Sequence, residues 1–133
     1  AVMSIGAVKA VEIGDGTAAA LARGSESNDP FRMEDGSVKK ASNHAGGILG
    51  GISDGSRILL RAHIKPTPSI FSEQQTVNRN GEDISIRIRG RHDPVIVPRA
   101  VDVVEAMTAL VLADALLSNM TARLDGIRDF YRV

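Results

Sequence analysis

Short apolar stretches separated by glycine-rich turns dominate the first half of the chain. Residues 4–13 are rich in valine and isoleucine, a composition typical of a buried strand. Thr17 is placed to cap a short helix over residues 18–23, which we expect to end with Gly24 in the left-handed conformation. The polar stretch 24–43 predicts either a mobile surface loop or an irregular hairpin.

Glycines and prolines mark the turns that follow. Residues 46–51 hold two glycine pairs around two apolar residues, and a Ser-Asp-Gly-Ser turn at 53–56 leads into an alternating stretch, 57–64. We therefore expect a hairpin in this region. Pro66 and Pro68 end its second strand, because proline cannot donate a hydrogen bond to a neighbouring strand.

The second half of the chain predicts one further hairpin and one long helix. An Asn-Gly pair at 80–81 joins two stretches, 76–79 and 83–89, and the second alternates isoleucines with polar, mostly basic residues. A helix is expected over residues 98–118, with an apolar stripe that packs as core. The predicted fold class is α+β, with antiparallel β-hairpins or sheet packed with one long helix.

Composition narrows the class of protein. Of the 133 residues 43% are apolar, which predicts a soluble globular domain or a piece of a larger one. Because the net charge is zero, we expect no general electrostatic attraction to nucleic acid or to anionic membranes. The longest apolar stretch, 109–117, is interrupted by Asp114 and is shorter than the roughly 20 residues that span a bilayer. The chain has no cysteine and residues 1–7 do not resemble a secretory signal, so we expect a cytoplasmic protein.

Two segments could bind a ligand, and each also has a structural explanation. Residues 46–51, here the glycine segment, match no phosphate-binding pattern, and a turn with tight strand packing explains them more readily than a ligand. Residues 65–69, here the proline segment, place a lysine and two hydroxyls on a chain stiffened by two prolines. Such a segment could hold a phosphate or an electron-rich ring, and a rigid edge turn with a solvated lysine explains it equally well.

A third group of ionisable side chains comprises Arg91, His92 and Asp93. Positive charge nearby would keep Asp93 ionised and able to hold or accept a proton, whereas the alternative is a surface salt-bridge network. His44, His63 and His92 lie far apart in a sequence without cysteine, so no metal site is predicted.

Four blocks resemble chorismate synthases, and they follow one another in the order of that family. They are residues 5–16, residues 42–52, the proline segment and matching stretches within residues 90–107. The resemblance implies that residues 1–133 are the C-terminal portion of a β-α-β sandwich enzyme and not an independent domain. The family's N-terminal portion, with its two catalytic histidines, has no counterpart in these residues, so we expect the chain alone to be inactive.

The same resemblance implies a reaction and its cofactor. Chorismate synthases are lyases of the shikimate pathway, which remove phosphate from 5-enolpyruvylshikimate-3-phosphate by an anti-1,4-elimination. The product, chorismate, leads to aromatic amino acid biosynthesis. The family requires reduced FMN although the reaction has no net redox change. It also implies a homotetramer, and an NADP-linked reduction of the flavin that varies within the family.

Residue roles are carried over from the matching motifs. Asp93 matches the family aspartate proposed to take a proton from flavin N5. Arg91 is expected to face the substrate phosphate as well as the flavin, because a planar guanidinium can bind two phosphate oxygens. The flavin contacts implied by the resemblance are Gly6, Ala7, Gly50, Lys65, Pro66, Thr67, Pro68, Ser69 and Arg91.

Four positions depart from the family pattern. Gly6 stands where the family usually has a larger residue, so only a backbone contact is expected there. Ala10, Val95 and Asp102 replace a usual Gly, Cys and Pro, and they fall beside the implied site.

Two other functions are open to this sequence. One is a non-catalytic subdomain with a structural or anion-binding role. The other is a nucleic-acid face, which zero net charge and three Phe, one Tyr and no Trp disfavour, because such surfaces usually combine basic excess with stacking aromatics. That face would consist of Arg87, Arg89, Arg91 and Arg99.

Overall fold

A computed structural model describes residues 1–132 of the chain, and the predicted α+β class is confirmed. The chain divides into two compact units, one covering residues 2–63 and the other beginning at Ile64. The strands and helices of the described residues are β1 Val8–Ile13, β2 Phe31–Glu34, β3 Ser37–Lys40, β4 Ile48–Leu49, β5 Ile52–Ser53, β6 Leu60–Ile64, β7 Gln74–Val77, β8 Asp83–Ile86, α1 Val97–Met120 and α2 Leu124–Tyr131.

The first strand is shorter than its apolar composition predicts. Val2–Ser4 form a 3₁₀ turn, and β1 begins only at Val8. Ala7 has a φ of 70°, and the Val8 N–H donates to the Ile5 carbonyl at 3.2 Å. A positive φ is incompatible with an extended strand, so the strand cannot extend back to residue 4 as predicted.

The predicted short helix is a 3₁₀ turn at Gly16–Leu21, and both of its expected ends are wrong. Thr17 does not cap it, because its hydroxyl donates to the Glu12 carboxylate at 2.7 Å. The turn ends before extended Ala22, and Gly24 is not among the described glycines with a positive φ. The Thr17 hydroxyl is therefore hydrogen-bonded to the Glu12 carboxylate instead of capping the helix.

The polar stretch after this turn contains a regular hairpin, so of the two predicted structures the hairpin is confirmed. Strands β2 and β3 pair antiparallel, with Phe31 opposite Lys40 and Glu34 opposite Ser37. Asp35 and Gly36 connect them with φ values of 51° and 75°. Two consecutive positive φ angles are the geometry that a two-residue hairpin turn requires.

The glycine segment contains the turn of the next hairpin, which sequence reasoning placed too late. Strands β4 and β5 pair antiparallel across Gly50 and Gly51, whose φ values are 60° and 81°. The predicted turn at 53–56 therefore follows the hairpin, and β6 pairs with β1. Adjacent glycines that both adopt positive φ outcompete the later Asp-Gly pair as the hairpin turn.

The unit beginning at Ile64 contains the second predicted hairpin and the helices. β7 and β8 pair antiparallel, with Gln74 opposite Ile86 and Val77 opposite Asp83, and β8 ends three residues before the predicted residue 89. Helix α1 confirms the predicted long helix and extends it slightly at both ends. Helix α2 follows it, and no helix in residues 1–132 is long and apolar enough to cross a membrane.

The core of the described chain is small. Among residues 1–132 the buried apolar side chains are those of Val2 and Val8, and they are joined by buried Glu12 and Asp29. No residue of α1 is buried, and Leu110 is 66% exposed. The prediction that its apolar stripe packs as core is therefore wrong for this chain, because no part of the described chain buries the stripe. A helix that is largely apolar usually lies inside a larger protein.

Candidate functional site

The glycine segment has a tightly packed base. Gly14 and Gly46 lie against each other, and a Cβ on Gly46 would clash with the backbone of Gly14. A Cβ on Gly47 would come within 2.7 Å of the Arg57 carbonyl oxygen. These two glycines of the segment are required by backbone packing, which is the structural explanation expected from the sequence.

The tip of the same segment is open. A Cβ added to Gly50 or Gly51 would meet no atom within 4 Å. Both residues are exposed, so their backbone amides and carbonyls can be approached closely by a ligand. Gly50 is the glycine predicted to contact the flavin, and its surroundings in the structure leave room for that contact.

Gly6 and Ala7, two further predicted flavin contacts, lie in the turn that precedes β1. Gly6 is exposed and no atom lies near the position of a Cβ, so a backbone contact is sterically open. Ala7 has a φ of 70°, which is unusual for a residue with a Cβ. Such strained backbone is concentrated at ligand-binding sites, and it is compatible with the predicted role.

A carboxylate that the sequence did not indicate holds the start of the glycine segment. The Asp29 side chain is only 3% exposed. Its Oδ1 accepts hydrogen bonds from the Ser42 hydroxyl at 2.7 Å and from the His44 N–H at 2.8 Å. Its Oδ2 accepts one from the Ala45 N–H at 2.9 Å. One buried side chain thus holds three of the four residues from Ser42 to Ala45.

Lys40 supplies the charge that balances this carboxylate. Its ammonium group lies 3.5 Å from Asp29 Oδ2 and donates to Asp54 Oδ2 at 2.6 Å. The hydrogen bond to Asp54 raises the pKa of Lys40 above its ordinary value, although burial opposes this. The same bond, with further bonds from Ser56, lowers the pKa of Asp54 to about 2. The pair is therefore fully ionised at neutral pH.

Asn43 completes the group that we call the Asp29 network, which consists of Asp29, Lys40, Ser42, Asn43 and Asp54. The Asn43 side-chain oxygen accepts a hydrogen bond from the Gly47 N–H at 2.8 Å, and its amide donates to the Arg57 carbonyl at 2.8 Å. The network therefore reaches the base of the glycine segment at Gly47. The partners of Asp29 lie 11 to 16 residues from it, so no local pattern in the sequence could have indicated its role.

A second buried carboxylate, Glu12, lies on β1. It accepts hydrogen bonds from the Thr17 hydroxyl at 2.7 Å and from Arg61 at 2.8 Å, and His63 Nε2 lies 3.0 Å away. These partners, led by the Thr17 hydroxyl, hold the pKa of Glu12 well below its usual range. His63 is thus a structural histidine with a partner, as its position on an alternating strand predicted.

The proline segment lies directly after β6 and carries unpaired polar groups. The Thr67 Oγ1 atom is buried and has no hydrogen-bond partner in the described part of the chain. Within residues 1–132, exposed Lys65 forms no ion pair or hydrogen bond. A buried hydroxyl without a partner is uncommon in native proteins and indicates a missing ligand, water or chain. Both predicted readings of the segment, a ligand-holding element and a rigid edge turn, are compatible with this geometry.

His92 packs against Phe71, which lies two residues after the proline segment. The rings of Phe71 and His92 meet edge to face with centroids 5.7 Å apart. Within the stretch that contains the proline segment, the Gln74 side chain donates to the Pro68 carbonyl at 3.3 Å. His92 Nε2, like Thr67 Oγ1, is buried without a partner in the described residues. The structure therefore links His92 to the residues just after the proline segment, in the unit that begins at Ile64.

The two charged residues that flank His92 differ in their partners. Asp93 Oδ2 lies 2.7 Å from Arg99 at the start of α1, so its ion-pair partner is Arg99 and not the neighbouring Arg91. Arg91 is exposed and forms no ion pair or hydrogen bond within residues 1–132. Its guanidinium is therefore free to bind an anion.

No metal site accompanies these segments in the structure of residues 1–132. No group of three or more His, Cys, Asp or Glu side chains in those residues is arranged to hold a metal ion. The three histidines have separate environments: His44 Nδ1 lies 2.6 Å from Asp15, His63 contacts Glu12, and His92 packs on Phe71.

Comparison with known proteins gives one consistent family. A family model described as chorismate synthase matches residues 1–117. The chain is 63% identical over 132 residues to the chorismate synthase of Lachnospira eligens, and 64% identical over 132 residues to that of Agathobacter rectalis. Each alignment covers 99% of this chain and 36% of the relative, so the chain spans little more than a third of their length.

A third relative and a solved structure agree. The chorismate synthase of Archaeoglobus fulgidus is 63% identical over 118 residues, which cover 88% of this chain and 33% of that protein. A solved structure described as a crystal structure of chorismate synthase superposes with a TM-score of 0.68 and 34% sequence identity. That match covers 98% of this chain and 32% of the solved one. The chain belongs to the chorismate synthase family.

Proposed function

We propose that this chain is the C-terminal portion of a chorismate synthase and supplies part of the site for reduced FMN and 5-enolpyruvylshikimate-3-phosphate. The observation that carries the proposal is that the proline segment and residues 91–93 both contain a buried polar atom without a partner in the described chain, on Thr67 and on His92. Each also contributes a cationic side chain without a partner in residues 1–132, Lys65 and Arg91, and His92 packs on Phe71 just after the proline segment. These groups match the chemistry of phosphate-bearing ligands.

In the proposed reaction the C3–O bond of the substrate breaks and phosphate leaves with the bonding electrons, while C6 loses its hydrogen as a proton overall, and the C6–H electron pair completes the diene without net oxidation or reduction. Reduced FMN, if bound, would lend electron density to the reacting carbons as phosphate leaves and would recover it as the C6–H bond breaks. The protein's part is to bind, orient and exclude water. By the same resemblance the whole enzyme is a cytoplasmic homotetramer, with an NADP-linked supply of reduced flavin in some members.

The proline segment is the proposed flavin-holding element. Pro66 and Pro68 fix its backbone, so little conformational entropy is lost when a ligand binds. Lys65 offers an unpaired ammonium group, and the Thr67 hydroxyl gains the hydrogen-bond partner that it lacks in the described chain. Ser69 is half-buried and adds a second hydroxyl. Gly6, Ala7 and Gly50 are proposed, on the resemblance alone, to contact the flavin through their backbone groups.

Arg91 is proposed to hold the departing phosphate. Its free guanidinium can donate two parallel hydrogen bonds, which stabilise the growing negative charge on the leaving group. Asp93 is proposed to hold or move a proton at its carboxylate oxygens. The ion pair with Arg99 fixes one of those oxygens at 2.7 Å and so orients the carboxyl group.

A second function, a non-catalytic module with an anion-binding role, has one observation in its favour. The described chain contains the free cations Lys65 and Arg91 but is short of a core, with the apolar side of α1 left exposed. Such a module would bind phosphate-bearing ligands without turning them over. The nucleic-acid face loses one of its four arginines, because Arg99 is paired with Asp93.

A chimera tests the proposed function. The matching segment of the Agathobacter rectalis chorismate synthase, 64% identical over 132 residues, is replaced by this chain. We expect the purified chimera to bind FMN and to release phosphate from 5-enolpyruvylshikimate-3-phosphate with formation of chorismate. The control is the same enzyme with the segment deleted, which should do neither.

The two functions give different results in this experiment. A folded chimera that binds FMN but forms no chorismate would favour the non-catalytic module. A folded chimera that binds neither FMN nor substrate would contradict the proposed site altogether.

A further inference from the structure

The glycine segment combines a fixed base with an open tip. At its base, Gly46 and Gly47 pack against backbone atoms of Gly14 and Arg57. At its tip, no atom lies within 4 Å of a Cβ placed on Gly50 or Gly51. A ligand that approaches the tip therefore meets backbone whose position is set by what holds the base.

One side chain from outside the segment holds the residues that lead into its base. Asp29 lies between the 3₁₀ turn and β2, and it accepts hydrogen bonds from the His44 and Ala45 N–H groups at 2.8 and 2.9 Å. These two amides immediately precede Gly46. Asn43, which lies beside them, accepts from the Gly47 N–H at 2.8 Å. Side-chain oxygens thus accept hydrogen bonds from three backbone amides within residues 43–47, those of His44, Ala45 and Gly47.

Only an ionised carboxylate satisfies all of these donors at once. Burial by itself raises the pKa of Asp29, but the bonds from Ala45, Ser42 and His44, together with the charge of Lys40, hold it well below its usual range. In asparagine, an NH₂ group replaces one of the two carboxylate oxygens, so it would face a hydrogen-bond donor and could not accept its bond. The arrangement therefore depends on aspartate specifically and not on any polar residue of the same size.

We propose that Asp29 is a positioning residue for the glycine segment, and through that segment for the ligand contact at the Gly50 tip. The inference rests on the proposed function, in which Gly50 contacts the flavin. Asp29 itself is 3% exposed and contacts the backbone of residues 44 and 45, so it acts through the segment and touches no ligand.

The test uses the chimera and the Asp29→Asn variant. We expect the variant to bind FMN about tenfold or more weakly, as is typical when the support of a binding group is removed. The dissociation constant is measured by titration of folded, monodisperse protein, and the absorption spectrum of the bound flavin is recorded with it. Asp35→Asn is the matched control, since its side chain is 88% exposed at a hairpin turn. It should bind FMN as the unsubstituted chimera does.

A purely structural role makes a different prediction. It would lower the melting temperature of Asp29→Asn while leaving the FMN dissociation constant and flavin spectrum of the folded protein unchanged, and that result would overturn the inference. A positioning role also requires non-additivity: combined with Gly50→Ala, Asp29→Asn should add little further loss of FMN affinity, because both act on one contact.

Two further outcomes are decisive. If Asp29→Asn does not fold, Ser42→Ala removes one donor to the same carboxylate, and it should weaken FMN binding by a smaller factor. Unchanged FMN affinity in folded Ser42→Ala would contradict the inference. If the unsubstituted chimera folds but does not bind FMN, the proposed function itself is wrong, which is a separate result from a failure of Asp29→Asn alone.

Discussion

The two compact units of this chain differ in whether their buried polar side chains have hydrogen-bond partners. In residues 2–63 the buried carboxylates of Glu12 and Asp29 are each satisfied by several donors. In the unit that begins at Ile64, the buried Thr67 and His92 side chains have atoms without partners in the described chain. In the first unit the buried side-chain polar atoms have hydrogen-bond partners, whereas in the second unit buried polar atoms of Thr67 and His92 have none within the described chain.

The same contrast holds for apolar surface. The first unit contains the buried residues Val2 and Val8, while α1 in the second has no buried residue although most of its positions are apolar. Under the proposed function, the first unit is mainly a scaffold, and the second unit holds the residues proposed to act on the substrate, Arg91 and Asp93. Substitutions in the first unit should change stability and cofactor position, and substitutions in the second should change chemistry.

The largest expected effect tests the second unit. In the chimera, Asp93→Asn should slow turnover by tens of fold or more, roughly the contribution of a general acid or base, with FMN binding largely intact. The measurement is kcat for chorismate formation together with the FMN dissociation constant. Asp125, an exposed helix acid 3.5 Å from Arg123, provides the control variant Asp125→Asn. Turnover equal to that of the unsubstituted chimera would remove Asp93 from the mechanism.

A matched pair of glycine variants tests the first unit. Gly46→Ala and Gly50→Ala both place a side chain on a left-handed residue, with φ values of 65° and 60°, which costs about 1–2 kcal/mol each. Gly46→Ala additionally clashes with Gly14. We expect Gly46→Ala to lower the melting temperature more, and Gly50→Ala to weaken FMN binding more for a given loss of stability. Equal effects on both measurements would contradict the division into base and tip.

The smallest expected effect is a pH dependence confined to the first unit. The pKa of Asp54 is lowered to about 2 by Lys40, so its contribution is present above the unfolded pKa of about 4 and is lost as the pH falls toward about 2. We expect the melting temperatures of the chimera and its Asp54→Asn variant to converge as the pH is lowered from about 5 to about 3. The exposed Asp35→Asn variant serves as the control. A constant difference across this range would show that the carboxylate contributes nothing through its charge.

Local signals in the sequence predicted several elements correctly. The Asn-Gly pair at 80–81 gave the β7–β8 hairpin, and the long apolar run gave α1. The turn at Gly50 and Gly51 was misplaced because a glycine pair and an Asp-Gly pair compete within six residues, and only the backbone angles decide between them. Local patterns are reliable where one signal has no nearby rival.

The candidate site was predictable only in part. The chemistry of their residues singled out the proline segment and residues 91–93, the family resemblance assigned their roles, and the contact of His92 with Phe71 required the structure. Asp29 was missed because its partners lie 11 to 16 residues away and its own neighbours form no motif. The partnership of Asp93 with Arg99 was missed for a related reason, since the adjacent Arg91 was the nearer positive charge in sequence.

The exposed apolar side of α1 has a practical consequence for anyone who handles this chain in isolation. Leu110 and Leu117 are 66% and 63% exposed, so in a concentrated solution the helix presents apolar surface to which other molecules can bind. Purified by itself, the chain should bind hydrophobic dyes, associate with chaperones during expression and precipitate as its concentration rises. We therefore expect the isolated chain to aggregate during storage before it loses its secondary structure.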